Sequence, residues 1–176
     1  MKRAAFLVLA LALSGCAQTQ SVAEKGEVIS CANVPSDSSV TSGTIVECVD
    51  GSKGLALESL RGPMIINVWG SWCASCLDEI PDFVTFYAKA KEKVALVGVA
   101  VEESSPENSK RFIIDNGITW PNYYDRDSKS RGYFGMGVPV TWFIAPDGKV
   151  QYKKIGIIKS EAELIALTEK YLGIKI

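Results

Sequence analysis

Histidine is absent from all 176 residues. Its absence removes the commonest general base, the Cys-His nucleophile pair, most zinc and copper sites, and covalent haem attachment through Cys-x-x-Cys-His. An excess of either charge is also missing: 19 Lys and Arg stand against 20 Asp and Glu. The chain therefore carries no electrostatic footprint for nucleic acid. Long apolar runs are lacking too. The run at residues 4–13 holds ten residues, about half of what a bilayer-crossing helix needs. What remains is an ordinary globular composition, 47% hydrophobic and 22% charged, long enough for one domain with a real core.

Lys2 and Arg3 precede the apolar run, and Leu13-Ser14-Gly15-Cys16 closes it. This pattern resembles a bacterial lipoprotein signal cut before Cys16. Residues 1–15 are then a signal peptide and Cys16 carries lipid. Residues 16–30 tether a single domain, residues 31–176, to the outside of the bacterial cell membrane. The competing reading is an ordinary secretory peptide that ends in cysteine; both readings place the chain outside the cytoplasm. There, cysteines are expected to be paired. Setting Cys16 aside leaves Cys31, Cys48, Cys73 and Cys76, for which three connectivities exist. The close spacing of Cys73 and Cys76 favours their pairing and, by elimination, a structural bond between Cys31 and Cys48. Two free thiols, or a second redox relay at Cys31 and Cys48, are the alternatives.

The remaining pattern is α/β. Residues 44–49 and 55–57 read as a short hairpin around Asp50-Gly51. Residues 64–69 and 94–101 are near-continuous apolar runs, as expected of strands buried on both faces. Between them residues 73–91 are helical, with Leu77, Ile80, Val84 and Tyr87 on the inward face, Phe83 beside it, and Pro81 as an expected kink. A helix at residues 106–116 ends at Gly117. A strand at residues 122–125, a turn at Asp125, Arg126 and Asp127, and a short helix at residues 128–134 follow. Residues 140–145 and 150–157 form a hairpin around Pro146-Asp147-Gly148, an antiparallel edge to the sheet. Ser160 and Glu163 mark a capping box for the last helix.

The chemistry gathers at Trp69-Gly70-Ser71-Trp72-Cys73-Ala74-Ser75-Cys76, where a strand runs into a helix. Cys73 falls at the helix N-terminus, where unpaired N–H groups and the dipole favour a thiolate. Cys76, one turn later, lies on the same face and can resolve a mixed disulfide formed by Cys73. This exchange needs neither metal nor cofactor. Half of a zinc site is the rival, but no histidine exists to complete it.

The stretch from Asn67 to Cys76, with Pro81 five residues on, resembles the thioredoxin superfamily. So does a second stretch, Gly137-Val138-Pro139-Val140-Thr141-Trp142-Phe143, in the position of that family's cis-proline. The chain is most similar to the membrane-tethered TlpA/ResA-like branch, which includes the cytochrome c maturation thioredoxins. The points of likeness are the lipid signal, the extra hairpin, the segment inserted at residues 104–133, and an acid, Glu79, three residues after Cys76. The resemblance implies a thioredoxin fold with an N-terminal β-hairpin extension and a central insertion, its mixed sheet flanked by helices.

It also implies roles. Pro139 would be cis beside Cys73, and the backbone of Val138 would accept an extended substrate segment. Trp72 would form a wall for the partner. Glu79, on the helix face below Cys76 and half-buried, would take that thiol's proton. The buried aspartate of cytoplasmic thioredoxin is replaced by Asn67, which cannot act as a base and is expected to satisfy buried backbone groups. Of Glu102 and Glu103, one is a candidate to face the site; a solvated loop is the plainer reading.

The implied activity is reduction of disulfides in exported proteins such as apocytochrome c, with a membrane redox partner. A disulfide-forming oxidase and a non-catalytic binding module are the alternatives. Cys73 lacks the Pro-x-x-x-Thr/Ser-x-x-Cys setting of a peroxiredoxin. On the lipoprotein reading, Cys16→Ser releases the protein from membranes, as followed by fractionation; unchanged retention would refute it.

Overall fold

The structure is a computed structural model that describes residues 25–135 and 137–176. Cys16 and the signal-like segment lie outside the described residues. Among the described residues seven strands form one mixed sheet: β1 (Ile45–Cys48), β2 (Leu55–Ala56), β3 (Met64–Trp69), β4 (Ala95–Val101), β5 (Asn122–Asp125), β6 (Val140–Ile144) and β7 (Val150–Ile155). Their spatial order is β2-β1-β5-β4-β3-β6-β7. β3 pairs parallel to β4 and antiparallel to β6, and β4 pairs parallel to β5. The hairpin β1–β2 extends the sheet beyond β5, antiparallel to it. The hairpin β6–β7 closes the other edge.

Among the described residues four α-helices flank the sheet: α1 (Ala74–Ala90), α2 (Pro106–Asp115), α3 (Arg131–Phe134) and α4 (Glu161–Leu172). Every residue of β3 is buried, as its unbroken apolar run requires. Side chains alternate across a strand, so β3 feeds two cores. Ile65 and Trp69 join Cys76, Phe83, Phe86 and Leu164 in the core beneath α1, α2 and α4. Ile66 and Val68 join Val97, Trp142, Phe134 and the two cysteines Cys31 and Cys48 on the other face.

The inward face of α1 differs from the expected one. Its buried residues are Cys76, Glu79, Ile80, Phe83, Phe86 and Ala90, whereas Leu77 is 46% exposed. Cys73 caps the helix, so Cys76 is the first residue to face inward, and it sets the phase for the turns that follow. Leu77 is carried about 100° around to a groove beside Arg111 and Phe112. Pro81 lies inside α1 and the helix runs through it. Asp125 is a second difference. It is buried rather than a surface turn residue, and its carboxylate accepts from the backbone N–H groups of Lys129 and Ser130 and from the Ser130 hydroxyl.

The N-terminal segment docks against the C-terminal end of α2. Gly26 N–H donates to the Ile114 carbonyl and Glu27 N–H to that of Ile118, after the last turn of α2. Cys31 and Cys48 then form a disulfide that ties this segment to β1. Closing a loop of this size stabilises a fold by about 3 kcal/mol. Replacing both Cys31 and Cys48 with Ala is therefore expected to lower the unfolding free energy by about that much. Urea denaturation of the oxidised protein measures it, and an unchanged midpoint would contradict it.

Candidate active site

Cys73 is the N-cap of α1 and Cys76 sits in its first turn; the two are joined by a disulfide. Cys73 is 7% exposed, whereas Cys76 is fully buried. An incoming group can therefore reach only one of the two sulfurs. The Cys76 N–H points at Cys73 Sγ, 3.1 Å away. Once the disulfide opens, that N–H and the unpaired N–H groups of the first turn are positioned to hold a thiolate on Cys73.

Two neighbouring segments hold the loop before Cys73. Trp72 is 56% exposed, yet its indole N–H donates to the Glu102 carbonyl at 3.1 Å. The Glu103 carboxylate is buried and accepts from the Ser71 N–H and the Ser71 hydroxyl. Glu102 takes a left-handed backbone, φ 54°, which turns these two groups toward the loop. The solvated-loop reading of this pair thus fails for Glu103. The Val138–Pro139 peptide is cis, and the Pro139 carbonyl accepts from the Gly156 N–H. Trp72 and Val138 border a cavity of about 200 Å³ whose walls include Val101, Phe134 and Arg131.

Behind the cysteines lies a polar pair inside the core. Glu79 is completely buried, not half-buried. One carboxyl oxygen accepts from Asn67 Nδ2 at 2.7 Å and the other from the Ile158 N–H at 2.8 Å. Asn67 therefore serves Glu79, in place of the expected buried backbone groups. Burial pushes the Glu79 carboxyl up to about 7, with Asp82 and Glu163 adding to the rise; the two hydrogen bonds act against it. Near neutral pH this group can both take and release a proton. The Ile158 contact had no signal in the sequence because its donor is a backbone N–H. The Asn67 contact had one, a lone amide inside an apolar strand.

A surface-reachable sulfur at a helix N-terminus, a buried partner sulfur and a cis-proline just before β6, the strand paired with β3, define a thioredoxin-fold disulfide site. Residues 44–153 match the AhpC/TSA family, and the chain belongs to it. The chain is 33% identical over 115 residues to a thiol-disulfide oxidoreductase ResA of Bacillus thuringiensis, covering 64% of this chain and 65% of that relative. It is 30% identical over 121 residues to the sporulation thiol-disulfide oxidoreductase A of Bacillus subtilis, covering 66% and 73%. The chain thus spans slightly under two thirds of the first of these relatives.

Solved structures show the fold. StoA from Bacillus subtilis superimposes with a TM-score of 0.57 at 23% identity, covering 68% of this chain and 91% of that one. A thioredoxin-like protein from Porphyromonas gingivalis gives 0.63 at 21%, covering 76% and 92%.

The raised Glu79 pKa has a consequence for stability. The folded state holds a proton that the unfolded chain releases near 4.5. Stability therefore falls as pH rises from about 4.5 to about 7, by roughly 3 kcal/mol. Glu79→Gln is expected to be more stable than the wild type at pH 8 and to lose that advantage by pH 4. Urea unfolding at both pH values measures this, and a gap that does not change with pH would contradict it.

Proposed function

We propose that this protein is an extracytoplasmic thiol–disulfide oxidoreductase that reduces disulfides in exported proteins, apocytochrome c among them, and is itself reduced by a membrane redox partner. The observation that carries the reading is the pairing of a reachable Cys73 sulfur with a buried Cys76 sulfur above a buried, proton-binding Glu79. The Cys73 thiolate attacks one sulfur of a substrate disulfide and expels the other as a thiolate. The Cys76 thiol gives its proton to Glu79, and the resulting thiolate attacks Cys73 Sγ. This closes the Cys73–Cys76 disulfide and releases the reduced substrate, with two electrons passed on.

The substrate segment lies along Val138 and Pro139, with Trp72 as its wall. Relatives named as thiol-disulfide oxidoreductases support this activity. The Cys16 lipid anchor and the outer membrane face belong to the same proposal. Among the described residues no helix is long and apolar enough to cross a membrane.

The direction of electron flow follows from charge. Ala74 and Ser75 place no cation beside Cys73, whereas Glu79 and Glu103 bring carboxyl groups near. The helix N-terminus holds the Cys73 thiolate without help from a neighbouring cation, so it is less stabilised than in a strong oxidant, and the dithiol is the better electron donor.

Equilibration with glutathione measures the potential. The expected value lies well below that of the strong oxidants, about −120 mV; a value near theirs would make the protein an oxidase. Cys73→Ser is expected to abolish turnover of insulin disulfides. Surviving turnover would remove the nucleophile assignment, and a wild type that turns over no insulin would leave the binding-module reading.

A further inference from the structure

Asn67 and Thr141 stand directly opposite each other in the β3–β6 ladder. Cross-strand partners put their side chains on the same face, with Cβ atoms about 5 Å apart. Both residues are completely buried, and each ends in a polar atom without a partner: Oδ1 of Asn67 and Oγ1 of Thr141. A buried polar atom left unpaired is costly, and two on facing residues call for a common account. The other end of the Asn67 amide is the group that donates to Glu79.

We infer that Asn67, backed by Thr141, is a reversible hydrogen-bond relay that serves Glu79 in both of its protonation states. The inference rests on the reading of Glu79 as the acceptor of the Cys76 proton. When Glu79 is a carboxylate, Asn67 Nδ2 donates to it, and the Thr141 hydroxyl turns to donate to Asn67 Oδ1. When the Cys76 proton arrives, Glu79 becomes a carboxylic acid whose O–H would collide with an N–H donor. A half-turn of the amide then presents Oδ1 to that O–H, and Nδ2 donates to Thr141 Oγ. The hydroxyl can play either part because it both donates and accepts. No other hydrogen bond holds Oδ1, so the half-turn breaks none beyond those it remakes. Only the Cys76 proton changes owner, and no electron moves in this step.

The surroundings of Glu79 suit such a relay. The Ile158 N–H can only donate, so it favours the carboxylate over the acid. Asp82 on α1 and Glu163 on α4 act against the charge. Lys154 on β7 is tied to Glu163 at 2.8 Å and does not pair with Glu79. Asp82 also holds the Glu161 N–H. A partner able to accept as well as donate is what the acid form lacks without Asn67. The relay makes Asn67 and Thr141 positioning residues, since both act through Glu79.

The test uses the full reduced chain. The Glu79 carboxyl carbon is followed by NMR from pH 5 to 9, together with the contacts of the Asn67 side-chain amide protons. Above the Glu79 midpoint those protons are expected to contact the Glu79 γ-methylene; below it, the Thr141 methyl. The same contacts on both sides of the midpoint would overturn the relay while leaving Glu79 as the proton acceptor. A Glu79 carbon that does not titrate would remove both.

Kinetics give a second readout. Thr141→Val keeps the volume but loses the hydroxyl, and is expected to slow resolution of the mixed disulfide by Cys76 roughly tenfold, as for one lost hydrogen bond. Thr141→Ser keeps the hydroxyl and is expected to resolve at the wild-type rate. A packing role predicts the reverse order, and that result would overturn the relay.

Discussion

The hydrogen bond from Asn67 to Glu79 joins the middle of the central strand to the first turns of the longest helix. It places a proton-binding carboxyl inside the core, where an unpaired charge would be prohibitive. Much of the molecule is arranged around keeping that group tolerable. β3 supplies the amide, α1 supplies the acid, and the segment between β7 and α4 supplies the Ile158 N–H. Three parts of the chain, far apart in sequence, meet at one carboxyl. The apolar side chains around it seal the site and are also what raise its proton affinity.

Polar contacts also hold the loops around the reactive sulfur. Glu103 fixes Ser71, the Glu102 carbonyl fixes Trp72, and Gly156 fixes Pro139. Gly156 and Ile158 are two residues apart, so one short segment touches the cis-proline carbonyl and the Glu79 carboxyl. The reachable sulfur thus sits in a frame whose sides are pinned by backbone and carboxylate contacts. Such a frame limits the entropy lost when a partner docks.

Much of this was legible in the sequence. Apolar runs marked β3 and β4, turn residues marked both hairpins, and the Cys-x-x-Cys spacing marked the site. What was not legible has physical reasons. The periodicity of α1 admitted Leu77 as an inward residue, because hydrophobicity alone does not say which turn starts the helix; the cap at Cys73 does. Glu103 and Asp125 read as surface acids because their partners are mostly backbone N–H groups, which every residue has and no sequence displays. Glu79 read as half-buried because a buried acid and an exposed one share a letter. Its exposure depends on β3 offering an amide across a distance of twelve residues.

The N-terminal segment docks against the C-terminal end of α2 through Gly26 and Glu27, and Cys31 then ties it to β1. Asp115 and Asn116, at that same helix end, line a groove with Ser71 and Leu77, which flank the cysteine pair. One helix end thus has the entering chain on one side and the surroundings of the reactive sulfur on the other. A pull on the first described residues is taken up by a helix and a covalent bond, a short step from the loop that carries Cys73.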